Sequence, residues 1–132
     1  MKKYLLITLI ALFAFTACKK EKKVTPVSPG LYGTWELRSI IGGWGHTEII
    51  APGKGEKYQF NMGDTYVKIK DAKIEKQGAF NITYVGEDNG FKYGLITLTN
   101  PDYKDAFSIK ADTIYIGSTA ADGPSYQYIK IK

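Results

Sequence analysis

From Lys57 to the end of the chain, apolar and polar residues alternate with a period of two, the spacing that puts every second side chain on one face of a β-strand. In KYQFNM, Tyr58, Phe60 and Met62 alternate with Lys57, Gln59 and Asn61. In TYVKIKD, Val67 and Ile69 alternate with Lys68 and Lys70, and in AFNITYV, Phe80, Ile82 and Tyr84 alternate with Asn81 and Thr83. YGLITLT, AFSIK, TIYIG and SYQYIKIK carry the pattern to the last residue. Turn-forming residues separate the runs: Gly42-Gly43, Pro52-Gly53, Gly63-Asp64, Asp88-Asn89-Gly90, Asn100-Pro101, Ala111-Asp112 and Asp122-Gly123-Pro124. The pattern predicts an all-β domain, an antiparallel up-and-down meander of about eight short strands that closes as a barrel or packs as a sandwich. One apolar and one polar face per strand, and the absence of free edges in a closed barrel, favour closure. KIKDAKIEKQ, Lys68 to Gln77, has a helix-compatible composition, but Ile69 and Ile74 do not share a helical face, so the stretch predicts two strands with a turn at Asp71-Ala72.

The N-terminal residues obey a different pattern. Two lysines precede an apolar run from Tyr4 to Phe15, followed by small residues and Cys18. This is the layout of an export signal, too short for an ordinary transmembrane helix. Phe15-Thr16-Ala17-Cys18 resembles the lipobox of bacterial lipoproteins, which implies cleavage after residue 17 and acyl chains, palmitate among them, on Cys18. Cys18 is the only cysteine, so it has no intramolecular disulfide partner. Several buried acyl chains hold a protein far more firmly than one, at about 0.8 kcal/mol per buried CH2. Residues 18–30 then read as the acylated cysteine and a disordered tether of charge, proline and glycine. Lys19 in the position after the cysteine resembles lipoproteins sent to the outer membrane, with the periplasmic and surface faces both open.

Locating the charge removes one function class. The formal net charge is +5, yet from residue 31 onward twelve Lys and Arg meet twelve Asp and Glu. The basic excess lies in the signal and tether, where it faces anionic lipid headgroups. Nucleic acid is therefore not an expected partner. Residues 31–132 are enough for one domain and too few for two.

That domain opens with LYGTWELRSI. Gly33-Thr34-Trp35 at the head of the first strand resembles the Gly-x-Trp signature of the lipocalin and fatty-acid-binding superfamily, and residues 31–132 as a whole resemble the small lipocalin-like domains of bacterial lipoproteins. The resemblance implies a barrel whose base is closed by Trp35, with Gly33 allowing the tight entry. Larger lipocalins stack a late arginine on this tryptophan; the only arginine here is Arg38, so Lys130 or Lys132 takes that place.

With Trp35 inward, period two gives Leu37, Ser39 and Ile41 on the same face, and Tyr58, Phe60, Phe80, Ile82 and Tyr84 as the inward set farther along. These bulky residues predict a filled interior with a shallow pocket at the open end. The long connection Ile40–Lys57 carries Trp44 and His46 among glycines, and Trp44 is a candidate cover for the mouth. The candidate ligand-binding residues are thus Trp44, Tyr58, Phe60, Phe80 and Tyr84.

Residues for common catalysis are missing. His46 is the only histidine, which excludes a two-histidine metal site and a Ser-His-Asp triad. Glu87, Asp88 and Asn89 lack EF-hand spacing and form an ordinary hairpin turn signal instead. Asp102, Asp105 and Asp112 show no pairing suited to acid-base work. DTI at Asp112 and NIT at Asn81 match glycosylation acceptors while having structural reasons of their own. The sequence therefore points to a non-enzymatic, cofactor-free, metal-free protein. Two readings stay open: a membrane-anchored carrier of a small apolar ligand or lipid at the barrel mouth, and a solid-core envelope protein whose tyrosine-rich surface binds a protein or glycan.

Overall fold

A computed structural model describes residues 29–42, 45–117 and 123–132. The export signal, Cys18, the tether up to residue 28 and Trp44 lie outside the described residues. A short 3-10 turn, Pro29–Leu31, leads into strands β1 (Gly33–Ile41), β2 (Thr47–Ile49), β3 (Lys57–Asn61), β4 (Thr65–Lys70) and β5 (Lys73–Asp88). Strands β6 (Phe91–Leu98), β7 (Tyr103–Lys110), β8 (Thr113–Ile116) and β9 (Ser125–Lys130) complete the order. Neighbours in sequence pair antiparallel from β3 to β9, and β9 returns to β1 with Trp35 opposite Lys130 and Ile41 opposite Ser125. The result is a closed eight-stranded meander barrel of β1 and β3 to β9.

The ninth strand corrects the expectation of a single long loop from Ile40 to Lys57. β2 and β3 lie in line on the same edge of β1, one opposite Ser39–Ile41 and the other opposite Gly33–Glu36. They behave as one strand interrupted by an excursion through residues 51–55, pinned where Ile50 N donates to Arg38 O (2.9 Å) and Leu37 N donates to Glu56 O (2.9 Å). A Cβ on Gly55 would stand 2.0 Å from Leu37 O, so only glycine lets the chain rejoin β1 so closely.

Hairpin turns form where the turn chemistry placed them. Asp71 and Ala72 both have positive φ (50° and 61°), as do Asn89 and Gly90 (50° and 79°), the geometry that matches the right-handed twist of paired strands. Long β5 changes partner midway: Lys73–Ala79 pairs with β4 and Phe80–Asp88 with β6. Thr99 crosses beside the change, its Oγ1 accepting from Ala79 N (2.9 Å).

The base is solid. Trp35 is fully buried, its indole N–H donating to Leu31 O (2.7 Å), and Lys130 Nζ sits 5.4 Å from its ring centroid while bonding Gly30 O (2.8 Å). Lys130 thus takes the place that the sequence left to it or Lys132. Gly33 has φ 134° and a Cβ there would lie 2.2 Å from Lys132 O, which explains the glycine before the tryptophan. Above the base, Phe60 and Phe80 meet edge to face at 4.9 Å, joined by buried Ile82, Ile96, Phe107 and Ile114.

Two strand phases differ from the expectation. In β1 the register shifts between Leu37 and Ser39, so Ile40 packs on the core while Ser39 bonds Gln127 (2.9 Å) on the other face. The bulge at Arg38 breaks the period that had placed Ser39 and Ile41 inward. In β4 it is Tyr66 and Lys68, the register partners of inward Phe60 and Tyr58, that point into the barrel; Val67 and Ile69 lie on the outer side, half-buried. Met62 lies beyond the end of β3 and is 83% exposed.

Candidate functional site

Up-and-down topology places the β1–β3, β4–β5, β6–β7 and β8–β9 connections at the end of the barrel opposite Trp35. A cavity of about 330 Å3 opens there. Its lining includes Tyr58 of β3, Tyr66 and Lys68 of β4, Tyr103 of β7, and Tyr126 and Tyr128 of β9, with Glu56 and Asp102 from the connections. Leu98 and Ile116 supply apolar wall.

The inward lysine is held by carboxylates. Lys68 Nζ lies 3.0 Å from Glu56 Oε2 and 3.3 Å from Glu75 Oε2, and 5.6 Å above the Tyr58 ring. Burial pulls the Lys68 ammonium down, but its hydrogen bonds to the two glutamates and the fields of Tyr58 and Glu56 outweigh that and leave it above its ordinary value. Glu75 is correspondingly held below the usual carboxylate range, first by its hydrogen bond to Lys68 and then by the lysine's charge. Glu56 reaches this position because the Gly55 approach to β1 fixes the residue after it.

Tyrosines surround the ion pairs. Tyr58 stacks on Phe60 (5.6 Å, 8° between planes) and meets Tyr128 edge-on (5.4 Å), which carries the aromatic floor of the cavity down into the core. Tyr128 donates to Glu56 Oε1 (2.9 Å), Tyr66 to Thr99 O (2.7 Å), and Tyr103 to Asp105. Burial pushes the Tyr58 hydroxyl up to about 12, Glu56 adding to the rise and Lys68 opposing it. Tyr103 and Tyr128 are also raised, again chiefly by burial, with Asp105 and Glu56 respectively adding to it. All three hydroxyls therefore stay protonated and neutral at physiological pH.

Of the residues proposed from sequence, Tyr58 lines this cavity. Phe60 and Phe80 lie in the sealed core, 1% and 4% exposed, and are not among the cavity's lining residues. Tyr84 packs against the core near Phe107 (6.4 Å), on the half of β5 that pairs with β6. Gly33 and Trp35 form the base, and His46 is exposed. Asp102 stands at the cavity, Asp105 accepts from Tyr103, and Asp112 lies in the β7–β8 turn at the other end. Among the described residues no group of three or more His, Cys, Asp or Glu could hold a metal ion, and no helix is long and apolar enough to cross a membrane.

The sequence reading missed Glu56, Tyr66, Lys68, Tyr103, Tyr126 and Tyr128. Lys68 was hidden because its apolar neighbours Val67 and Ile69 claim the inward phase on hydropathy alone. The available signal was Tyr66, an aromatic two residues before Lys68 in the phase that β4 adopts.

A second, more open groove of about 530 Å3 includes Phe91, Tyr93, Ser108, Tyr115 and Ile41. Tyr93, Ser108 and Tyr115 are successive register partners across β6, β7 and β8, on the outer wall of the barrel.

No family model matches this chain, and no curated protein matches it. A crystal structure of a lipocalin-like protein from Bacteroides uniformis is similar with 15% identity and a TM-score of 0.48, covering 77% of this chain and 99% of that one. By its own strand order, its closure from β9 to β1 and its tryptophan-plugged base, this chain has a lipocalin-like fold, a closed up-and-down barrel of eight strands.

Proposed function

We propose that this protein is a membrane-anchored lipocalin-like lipoprotein that carries a small apolar or aromatic ligand at the barrel mouth. The observation that carries the reading is the cavity of about 330 Å3 above a filled base, at the small end of the usual ligand-site range of about 300–1,000 Å3. Its aromatic floor supplies contact area at low entropy cost, and its polar groups offer orientation. The lipobox at Cys18 supports anchoring in the outer membrane, on its periplasmic or surface face. Residues 29–31 enter beside Trp35, at the end of the barrel opposite the mouth.

Native mass spectrometry of the protein purified gently from its host tests this. A reproducible extra mass released by denaturation is the expected result. A folded protein that carries no extra mass and takes up none from a host lipid and metabolite extract would overturn it. The outer groove of Phe91, Tyr93 and Tyr115 favours a second reading, in which the surface binds an envelope protein or glycan.

A further inference from the structure

The hydrogen-bonding inventory of the cavity narrows the ligand class. Tyr66, Tyr103 and Tyr128 each spend the hydroxyl proton on a protein acceptor, Thr99 O, Asp105 and Glu56. A tyrosine whose proton is committed has only oxygen lone pairs left to offer a ligand. The carboxylates of Glu56 and Asp102 are acceptors as well. Among the described residues Lys68 is the one cation set into the wall, and it is already shared by Glu56 and Glu75. Lys76, the other lysine of the lining, is solvent-exposed at the rim, where its field is screened.

Five tyrosines line this acceptor-rich cavity: Tyr58, Tyr66, Tyr103, Tyr126 and Tyr128. Aromatic faces carry the negative part of the ring quadrupole and attract cations, and clusters of them are suited to ammonium groups. A fatty carboxylate would meet the same surface badly. To pair with Lys68 it would have to displace Glu56 or Glu75 and then sit beside the displaced carboxylate.

We infer that the ligand carried at the mouth is an organic cation, an amine or quaternary ammonium with an apolar body, its charged head among the tyrosines and the Glu56 and Asp102 carboxylates. This rests on the carrier reading above and specifies its ligand. The apolar body lies along Leu98, Ile116 and the Tyr58 ring.

Three probes with the same chain separate the possibilities: n-octyltrimethylammonium, 1-octanol and octanoate. They are titrated calorimetrically into the full protein held in lipid nanodiscs, with empty discs as the blank. The expected order is ammonium first, at least tenfold tighter than octanoate and severalfold tighter than octanol. Asp102→Asn, a change at an exposed turn residue, should reduce the ammonium preference at least threefold with an unchanged melting temperature; Glu56→Gln should reduce it further. If octanol or octanoate binds as tightly as the ammonium, the cation inference falls while the carrier reading stands. If none of the three binds above the blank, both fall. If the ammonium binds tightest but neither variant changes its preference, the cation is held elsewhere and the inference is overturned.

Discussion

Replacing Lys68 with methionine keeps the length of the side chain inside the mouth while removing its charge. It leaves Glu56 and Glu75 facing each other without the cation between them. Lys68 and Glu56 side chains each keep 16% exposure, so this pair belongs neither with surface ion pairs nor with fully buried ones. Breaking the former costs about 0–1 kcal/mol and the latter about 3–5 kcal/mol by removal of one partner. Glu75 adds little, being 37% exposed. The expected cost of Lys68→Met is about 2 kcal/mol, which in a domain of roughly 100 residues lowers the melting temperature by about 8–16 °C. The assay is urea unfolding of wild type, Lys68→Met, Glu56→Gln and the double variant. Because methionine and glutamine no longer carry opposed charges, the double variant should recover at least half of the summed single losses. The cycle also has an acid limb. Glu75 is depressed in the folded state, so its contribution is present above its ordinary value near 4.5 and disappears as pH falls through the lower folded value. Lys68→Met should flatten that part of the stability profile. A single variant within about 0.5 kcal/mol of wild type, or strictly additive effects, would refute the claim that Lys68 is an inward, carboxylate-held residue.

Other outcomes follow from the same structure. Gly33→Ala meets both the left-handed φ and the Lys132 carbonyl, and should cost about 2 kcal/mol or more by chemical denaturation. Lys130→Met removes the cation from the Trp35 ring and its bond to Gly30, with an expected loss of about 1 kcal/mol and a change in tryptophan emission. In an alkaline titration followed by tyrosinate absorbance, Tyr58 should ionise only near pH 12, with Tyr66, Tyr103 and Tyr128 also late. Since unfolded tyrosines lose their protons near pH 10, stability should fall as pH rises from about 10 towards 12, and early ionisation of every tyrosine without unfolding would contradict the burial of these hydroxyls.

The strands and turns were legible because their signals are local. Asp71-Ala72 and Asn89-Gly90 place the chain reversals, and alternation around Phe60, Phe80 and Ile82 marks the inner face without ambiguity. The failures share a cause: tertiary contacts override hydropathy at single positions. The bulge at Arg38 turns Ile40 inward because one extra residue reverses the phase of β1. Lys68 turns inward because Glu56, from the approach to β3, and Glu75, across the β4–β5 hairpin, compensate its burial. Glu56 itself is positioned by a carbonyl contact at Gly55 that no pattern in APGKG announces. Most of the barrel could thus be read from residues in order, whereas the mouth depends on which strands meet across it.

Whether the open-end cavity is the place where ligand sits can be tested with the tyrosines of the barrel as reporters. The protein is labelled with 13C-tyrosine, and its aromatic resonances are followed by NMR while octyltrimethylammonium, and separately 1-octanol, is added. Shifts concentrated on Tyr58, Tyr66, Tyr103, Tyr126 and Tyr128, with Tyr93 and Tyr115 unmoved, are the predicted result. Shifts confined to Tyr93 and Tyr115 would place binding on the outer wall and contradict it.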